Sequence, residues 1–376
     1  MLTPRTWIEI SKENLSENIK VFRNIISRKT KLMAVIKANA YGHGFGQVLS
    51  IIKDEVDWLG VDSLEEALRI RKSGVKTPVL VMGYTPLNDL INAVKNDISF
   101  VVYDKDSIVK ALSLSHKNTP KMHIKIETGL NRQGVKTNDA LELYKIMSKN
   151  KNNIYPEGVS THFADIEDTL DSSYAEKQLK HFKSTIDYFK CKNKNIMVHC
   201  AATAASMLYK KTHLDMIRVG IGIYGLWPSK ETKIALKIKN VKFDLKPVLS
   251  WKSMIVQVKK VKTGESVGYG RTWYAPRDSL IGIVPVGYSD GYDRGLTNKS
   301  HVLIKGKKAP VVGRVAMNMI MVDVTESNGV KVGDNITLIG KENNNEVSAD
   351  NLAELLNTIN YEIVSKINPG ILRKII

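Results

Sequence analysis

Eight short apolar runs, with helical patterns between most of them, constrain the fold of this chain more than any other feature. Runs of this length bounded by polar or turn-forming residues are typical of buried strands. The runs are Leu32–Ile36, Trp58–Val61, Val79–Met82, Phe100–Val102, Met122–Ile126, Gly158–Thr161, Ile196–Val198 and Ile217–Ile223. Eight strands with intervening helices predict an α/β fold with a (β/α)8 barrel over residues 10–232. A doubly wound sheet is the alternative, but its Gly-rich fingerprint does not follow the first run.

Local signals mark several of the helices. Ser63 and Glu66 have the spacing of a capping box, and Gly74 follows at the distance expected for a helix end. A 3.6-residue apolar periodicity predicts further helices. These cover Asn14–Ser27, Asn138–Ser148 and Ser172–Phe189.

After about residue 235 the pattern changes to apolar runs separated by turns, with little helical periodicity before Ala349–Leu356. This indicates a second, mostly-β domain over residues 233–376. Residues 1–9 are assigned to this domain as well, because the segment Trp7–Ile10 is expected to add a strand to its sheet. The predicted strand runs are Met254–Val258, Ile281–Val286, Val302–Ile304, Met319–Val322 and Ile336–Ile339.

Composition narrows the functional classes. The 376-residue chain has a formal net charge of +18, but its lysines are scattered and no nucleic-acid-binding motif accompanies them. No apolar run approaches the ~20 residues of a membrane span, and the N-terminus does not resemble a signal peptide. Cys191 and Cys200 lack metal-ligand spacing, so we expect no metal site and a reducing, cytoplasmic location. We therefore expect neither nucleic acid nor membrane as a partner.

Polar residues follow the predicted barrel strands, where barrel enzymes hold their catalytic groups. Lys37 ends the first strand, and partial desolvation there would make its amine a usable nucleophile and base for a Schiff base with an aldehyde cofactor. Arg218 lies in an apolar run, so it needs a partner, and an acid such as Asp215 is one candidate. The loops after strands 7 and 8 often hold phosphate. Other candidates at this rim are the side chains of Lys125, Arg132, His162 and Thr203 and the backbone N–H groups of Gly220 and Ile221.

The segment AVIKANAYGHG around Lys37 resembles the pyridoxal 5'-phosphate (PLP) lysine segment of alanine racemases. The resemblance continues along the whole chain through Ser266–Trp273, Pro285–Arg294, Pro310–Asn318 and Asn360–Glu362. It implies that Lys37 binds PLP, that Arg218 faces the pyridine nitrogen and that His162 supports Arg218. The residues that it implies for the phosphate are Tyr41, Thr203, Gly220, Ile221 and Tyr361.

The resemblance also implies a two-base mechanism in a homodimer with shared active sites. Lys37 would act on one face of the substrate, and Tyr269 of the other subunit on the opposite face. Arg132 and the Met317 backbone N–H would hold the substrate carboxylate. Tyr288 and Asn318 would line the entrance, and Lys125 aligns with a lysine that is carbamylated in many relatives. The implied activity is conversion between L-alanine and D-alanine, which supplies D-alanine for cell-wall peptidoglycan.

Some positions depart from the family pattern. Ala316-Met317-Asn318 stands where the family usually has Cys-Met-Asp, and Glu127 stands for Asp. These changes leave open a racemase of broader specificity that acts on serine or other amino acids. Two other classes of PLP protein are alternatives. A regulator built on a barrel alone would lack the second domain, and a decarboxylase would usually carry a C-terminal Cys-Asp motif.

Overall fold

The computed structural model describes residues 3–114 and 116–376. The chain divides into two compact units. The first, the barrel unit, comprises Ser16–Ala38 and Leu49–Lys246. The second, the β unit, comprises the chain up to Leu15 together with Asn39–Val48 and Pro247–Ile376. Among the described residues, no helix is both long and apolar enough to span a bilayer.

The chain begins with strand β1 (Thr6–Ile10) and helix α1 (Lys12–Ile25). The helix starts and ends two residues before the predicted Asn14–Ser27. The predicted apolar face is confirmed, because Leu15, Ile19 and Phe22 are buried.

Eight parallel strands form one curved sheet in the barrel unit, which confirms the predicted α/β barrel. Their order is β8-β7-β6-β5-β4-β3-β2-β9, and two backbone hydrogen bonds join the end strands, Asp215 N to Val198 O (3.1 Å) and Arg218 N to Ala201 O (2.9 Å). The strands are β2 (Lys31–Val35), β3 (Trp58–Val61), β4 (Val79–Val81), β5 (Ser99–Val102), β6 (Lys121–Lys125), β7 (Tyr155–Ser160), β8 (Met197–His199) and β9 (Met216–Val219).

The eighth predicted run, Ile217–Ile223, is too long as a strand. The extended backbone ends at Val219, because Gly220 adopts φ −101° and ψ −100° and a 3-10 turn follows over Ile221–Tyr224. The strand therefore stops where the predicted phosphate-binding loop begins.

Helices follow most of the barrel strands. The capping box of α4 is confirmed, because Ser63 Oγ accepts from Glu66 N and the Glu66 carboxylate accepts from Ser63 N. Gly74 has φ +80°, which suits the end of a helix. The helical segments are α2 (Lys37–Tyr41), α3 (Phe45–Ile52), α4 (Leu64–Lys72), α5 (Leu90–Lys95), α6 (Lys105–Leu112), α7 (Thr137–Lys149), α8 (Ser173–Lys192), α9 (Thr203–Leu208) and α10 (Lys230–Ile238), with 3-10 turns at Leu87–Asp89 and Lys210–Thr212.

The β unit contains two sheets, which confirms the mostly-β second domain. One has the order β14-β13-β16-β10-β1-β18 with β17 beside β16, and the other has the order β11-β12-β15. The strands are β10 (Leu249–Met254), β11 (Gln257–Val261), β12 (Ser279–Val284), β13 (His301–Ile304), β14 (Lys307–Pro310), β15 (Ile320–Asp323), β16 (Asn335–Glu342), β17 (Asn345–Val347) and β18 (Leu372–Ile375). The helices are α11 (Ala349–Leu356) and α12 (Asn360–Ser365), with 3-10 turns at Tyr269–Arg271, Tyr288–Asp290 and Arg294–Leu296.

Strand β1 lies in the larger sheet of the β unit, antiparallel to β10 and parallel to β18. The prediction that the segment beginning at Trp7 adds a strand to this domain is confirmed. The single run predicted over Met254–Val258 is wrong, because the chain changes sheets there. Ile255 N bonds to Asp334 O beside β16, and Val256 N bonds to Ile283 O of β12.

Candidate active site

Lys37 lies directly beyond strand β2, whose residues after Lys31 are buried. Its Nζ is 3.1 Å from Asp62 Oδ1, and about 40% of its side chain is exposed. Glu66 connects the ends of two neighbouring strands, because its carboxylate accepts from Ala38 N at 2.7 Å and from Asp62 N at 2.9 Å. Glu66, the acidic member of the capping box of α4, therefore also fixes the backbone next to Lys37 and at Asp62. The Lys37 amine stays accessible to a ligand.

A left-handed turn follows Lys37. The residues from Ala38 to Tyr41 all have φ between +52° and +54°. A non-glycine residue in this conformation costs about 1–2 kcal/mol, so the turn needs support from its surroundings. Within the β unit, Asn39 Oδ1 accepts from Phe45 N at 2.8 Å, and Arg373 donates to Gly42 O from Nε at 3.1 Å and from Nη2 at 2.9 Å. These bonds fix the segment that carries Tyr41.

Several basic residues lie at the rim formed by the C-terminal ends of the barrel strands. Burial first, and then the positive charges of Arg218, Lys125, Arg132 and Lys37 in that order, together lower the pKa of His162 to about 2. The imidazole is therefore neutral near pH 7. The effect of these four cations on one ring also indicates that all four lie near His162.

Arg218 is buried and makes several hydrogen bonds. It donates to His199 Nδ1 at 2.6 Å, to Thr161 O at 2.9 Å, to Cys200 O at 3.1 Å and to His162 Nδ1 at 3.3 Å. Burial lowers the pKa of its guanidinium to about 10, so it stays charged at neutral pH.

The alternative in which Arg218 pairs with Asp215 is wrong. Asp215 instead accepts from Lys190 Nζ at 2.7 Å and from Val198 N at 2.8 Å. Among the residues that the structure describes, no ion pair involves Arg218.

Lys125 lies at the end of β6. Burial lowers the pKa of its amine well below the usual range, and the charges of Arg218 and Arg132 lower it further. A lowered pKa increases the share of the neutral amine, which is the nucleophilic form.

The loops after β8 and β9 meet at a hydroxyl group. Thr203 Oγ1 accepts from Gly220 N at 3.2 Å, which leaves the hydroxyl proton available to a further acceptor. Gly222 is packed closely, since a Cβ there would lie 2.5 Å from the Phe22 ring and 2.8 Å from Thr203 Cγ2. Ile221 begins the 3-10 turn at this point and is buried.

Tyr41 and Tyr361 lie together in the β unit, with ring centroids 6.0 Å apart. Burial lowers the pKa of the neighbouring His43 to about 4, although its ring hydrogen-bonds to Tyr41 O at 2.9 Å. The predicted phosphate contacts Tyr41 and Tyr361 are therefore neighbours in the fold.

Another group of predicted residues in the β unit surrounds Ser289. Ser289 N and Oγ donate to Met317 O at 3.0 and 2.8 Å, and Asn318 Nδ2 donates to Ser289 Oγ at 2.8 Å. Tyr288 N donates to Ala316 O at 3.1 Å. The segments of Tyr288 and Asn318 are therefore held against each other.

Tyr269 begins a 3-10 turn between two glycines in the left-handed region, Gly268 at φ +79° and Gly270 at φ +70°. A Cβ at position 270 would lie 3.0 Å from the Arg314 guanidinium carbon. About 75% of Tyr269 is exposed, so its phenol is accessible on the surface of the described chain.

Sequence reasoning missed several residues around these groups. His123 and Lys125 stand two apart in β6 and therefore share one face of the strand, a signal that could have identified the histidine. Asp62 and Arg373 carry no comparable signal, because each acts across a long separation along the chain. The capping box had identified Glu66, but not its bond to Ala38 N, which lies 28 residues away.

The acid dependence of folding is a first test of this description. Unfolded histidine takes up a proton near pH 6.5, whereas His43 in the folded chain does so only near pH 4. His43 therefore contributes its stabilisation fully above pH 6.5, and the contribution is lost as the pH falls towards 4. The difference corresponds to about 3 kcal/mol.

We expect the unfolding free energy, measured with urea, to fall between pH 7 and 4.5 by less in His43→Asn than in the unchanged chain. His181→Asn, at an exposed position of α8, is the control and should follow the unchanged chain. An unchanged pH dependence in His43→Asn would contradict the account.

The residues of the barrel unit suit an aldehyde cofactor that carries a phosphate. Lys37 supplies an accessible amine, Thr203 a hydroxyl and Arg218 a fixed guanidinium donor, and no carboxylate among the described residues neutralises Arg218 by direct contact. Such a set favours an anion and allows a Schiff base to form at the lysine. The donor set therefore fits PLP.

Models of the alanine racemase N-terminal and C-terminal domains match residues 10–228 and 248–375. The alanine racemase of Leptospira interrogans serogroup Icterohaemorrhagiae serovar copenhageni is 39% identical, with 100% of this chain and 96% of the relative covered. Alanine racemase 2 of Bacillus subtilis is 37% identical, with 99% and 95% covered.

Solved structures agree. The alanine racemase of Bacillus anthracis with bound L-Ala-P gives a TM-score of 0.91 at 31% identity, with 100% of this chain and 96% of that chain covered. The alanine racemase of Clostridium difficile 630 gives 0.90 at 32% identity, with 100% and 97% covered. Because both domain models match and the relatives align over nearly the full length, the chain belongs to the alanine racemase family.

Proposed function

We propose that this chain interconverts L-alanine and D-alanine in a PLP-dependent reaction with two bases. The observation that carries the proposal is the placement of Lys37 at the open end of a buried strand, in a barrel rim that also holds Arg218 and a neutral His162. Membership of the alanine racemase family supports the same reaction.

PLP, when bound, withdraws electrons from the substrate α-carbon and so makes its proton removable. Lys37 would hold the aldehyde carbon. Arg218 would face the pyridine nitrogen, with His162 beside it. A guanidinium donates hydrogen bonds but does not give up its proton, so the ring nitrogen would stay unprotonated. The groups that would hold the phosphate are Tyr41, Thr203, Gly220, Ile221 and Tyr361.

Racemisation needs proton transfer on both faces of the α-carbon. Lys37 would remove the α-proton of the D-enantiomer, and Tyr269 would deliver a proton on the opposite face, with the roles reversed for the L-enantiomer. We propose that this tyrosine belongs to the second subunit of a homodimer. Its exposure, about 75%, supports this part of the proposal, because the phenol is free to enter another chain.

Other residues would place the substrate. Arg132 and the Met317 N–H would hold the substrate carboxylate, and Tyr288 and Asn318 would line the entrance. Lys125 is the candidate for carbamylation, supported by the low pKa of its amine. In this proposal residues 10–232 form the PLP-binding barrel, and residues 233–376 with the strand in residues 1–9 form the second domain.

D-alanine made in this way would supply peptidoglycan synthesis in the cytoplasm. Both cysteines are free thiols, Cys191 exposed and Cys200 buried, which agrees with a reducing compartment. The proposal assigns no role to nucleic acid or membrane.

A broader amino-acid racemase is the second candidate. Ala316 removes side-chain volume from the entrance segment, and the Asn318 amide is uncharged and bonded to Ser289 Oγ. Such an entrance could also admit serine or a larger side chain.

The ratio of kcat/KM for alanine to kcat/KM for serine separates these candidates. Pocket contacts that differ by one small group discriminate by about 10–200-fold, so an alanine-specific enzyme should favour alanine within or above that range. A ratio near one would favour the broader racemase. Asn318→Asp is the matched variant, and it should raise the ratio if the uncharged entrance admits serine.

A further inference from the structure

The interior of the barrel contains a chain of hydrogen bonds that the proposed mechanism does not use. Arg218 Nη1 lies 2.6 Å from His199 Nδ1, and His199 Nε2 lies 2.9 Å from His123 Nδ1. His123 Nε2 lies 3.1 Å from Glu157 Oε2. Both imidazoles are buried, and the side chain of Glu157 is only 13% exposed. We call these four residues the Arg218 chain.

The chemistry of arginine fixes the direction of every bond in the Arg218 chain. Arginine can only donate, so His199 Nδ1 accepts and the His199 proton lies on Nε2. His199 Nε2 then donates to His123 Nδ1, which places the His123 proton on Nε2. That proton is donated to the Glu157 carboxylate. The bonds therefore all run one way, from a cation at the rim to an anion inside the barrel.

The surroundings of His199 and Glu157 support a neutral ring and a charged carboxylate, respectively. Burial and the charge of Arg218 hold the pKa of His199 well below its usual range, so the ring is neutral. The Glu157 carboxylate also accepts from Ser99 Oγ at 2.5 Å, so two donors stabilise its negative charge. The Arg218 chain thus joins one positive and one negative end through neutral rings.

Packing holds the rings of the Arg218 chain in place. His123 and His199 meet edge to face, with centroids 5.1 Å apart, and the Trp58 ring lies 5.8 Å from His123. Gly158 of β7 has no side chain at the point where His123 needs the space, since a Cβ there would lie 2.3 Å from His123 Nδ1. The hydrogen-bond geometry is therefore set by the barrel wall.

We propose that His199, His123 and Glu157 are positioning residues for Arg218, which hold its guanidinium as a fixed donor and supply its counter-charge from three hydrogen bonds away. The assignment of the pyridine nitrogen as the group that Arg218 faces rests on the proposed function. The Arg218 chain itself is a property of the protein alone.

The remote position of the carboxylate has a chemical reason. A buried arginine needs compensation for its charge. A carboxylate in direct contact would take two of its donors in a bidentate pair, and would place an acidic group beside the pyridine nitrogen. The Arg218 chain supplies negative charge through neutral rings and leaves the other donors of Arg218 for the rim.

The tautomers can be tested without cofactor. The full-length chain labelled with 15N-histidine should show His199 and His123, assigned with His199→Gln and His123→Gln, each protonated on Nε2 and unprotonated on Nδ1 near pH 7. Glu157→Gln should keep both tautomers, because the amide oxygen still accepts from His123. A proton on Nδ1 of either ring, or on both nitrogens, would overturn the proposal.

The counter-charge can be tested in the loaded enzyme with Glu157→Gln. We expect kcat to fall about tenfold, at the low end of what loss of an outer-shell partner costs in metal sites, with KM for alanine nearly unchanged. The absorbance maximum of bound PLP should also shift. Asp57→Asn is the matched control, because Asp57 accepts from Leu32 N and pairs with Arg23 in the same barrel.

The control should lose stability without a change in the PLP spectrum or the kcat/KM pattern. Equal effects in both variants would reduce Glu157 to a structural role and overturn the proposal. Gly158→Ala provides a second route, because it displaces the His123 ring and keeps every polar group. It should reproduce the spectral shift, whereas Gly46→Ala, where a Cβ meets nothing within 4 Å, should not.

The two proposals fail in different ways. If the chain has no racemase activity, the tautomer measurement still decides whether the Arg218 chain exists. If racemase activity is present but Glu157→Gln behaves like Asp57→Asn, the proposed function stands and the positioning role is wrong.

Discussion

Lys37→Ala is expected to abolish both the visible absorbance of PLP bound to the protein and the racemisation of alanine. The substitution removes the only group in the proposal that bonds to the aldehyde carbon, and also one of the two bases. Loss of a general base alone costs about 10²–10⁴-fold, and loss of the covalent anchor adds to this. We therefore expect a fall of at least about 10⁴-fold, measured as D-alanine formed from L-alanine.

Lys31→Ala is the matched control for this variant. Lys31 starts the same strand, β2, and its Nζ is 3.7 Å from Asp57 Oδ1 at a half-exposed position. Surface pairs of this kind contribute about 0–1 kcal/mol, so the control should bind PLP and racemise normally. Retention of activity in Lys37→Ala would contradict the assignment of the lysine.

Tyr269→Phe is expected to keep bound PLP and to lose racemisation by about 10²–10⁴-fold, the range for a general acid–base group. The ring remains, so packing of the Gly268–Gly270 turn should be preserved. Because Lys37 still serves one face, the variant should exchange the α-proton of D-alanine with solvent deuterium without forming L-alanine. Proton NMR of alanine in deuterated buffer measures both processes.

Tyr274→Phe is the control for the tyrosine variant. Tyr274 lies in the same segment, bridged to Ser266, and is about half exposed. It should leave racemisation and exchange unchanged. Full racemisation in Tyr269→Phe would show that the phenol is not the second base.

Mixing the two variants tests the homodimer in the same assay. If Tyr269 serves the other subunit, dimers of Lys37→Ala with Tyr269→Phe contain one site in which both groups are intact. We expect activity to reappear after subunit exchange, towards one quarter of the unchanged enzyme for equal mixing. No recovery, with mixed dimers shown to form, would place both bases in one chain.

The barrel could be predicted because its signals are local. Strand runs such as Trp58–Val61 are buried on both faces and are apolar throughout, and the Ser63–Glu66 capping box marks a helix start without knowledge of the rest of the fold. The boundary near Ile255 could not be predicted. An apolar run gives no sign that its two halves pair with different sheets.

The rim residues could be predicted where they follow the end of a recognisable strand. Lys37 and Lys125 directly follow or end apolar runs. The supports of the Tyr41 segment and of Arg218 were not predictable, because they act across long sequence distances. Arg373 lies 331 residues from Gly42, whose carbonyl it binds, and His199 lies 76 residues from His123.

The measurement that tests the central claim most directly is D-alanine formation from L-alanine by the purified full-length chain, with and without added PLP. The account predicts D-alanine that depends on PLP and approaches an equal mixture of enantiomers from either side. Absorbance of bound PLP with no D-alanine would contradict it, and would direct attention to another substrate or to decarboxylation, with Ala316 and Asn318 as the first positions to change.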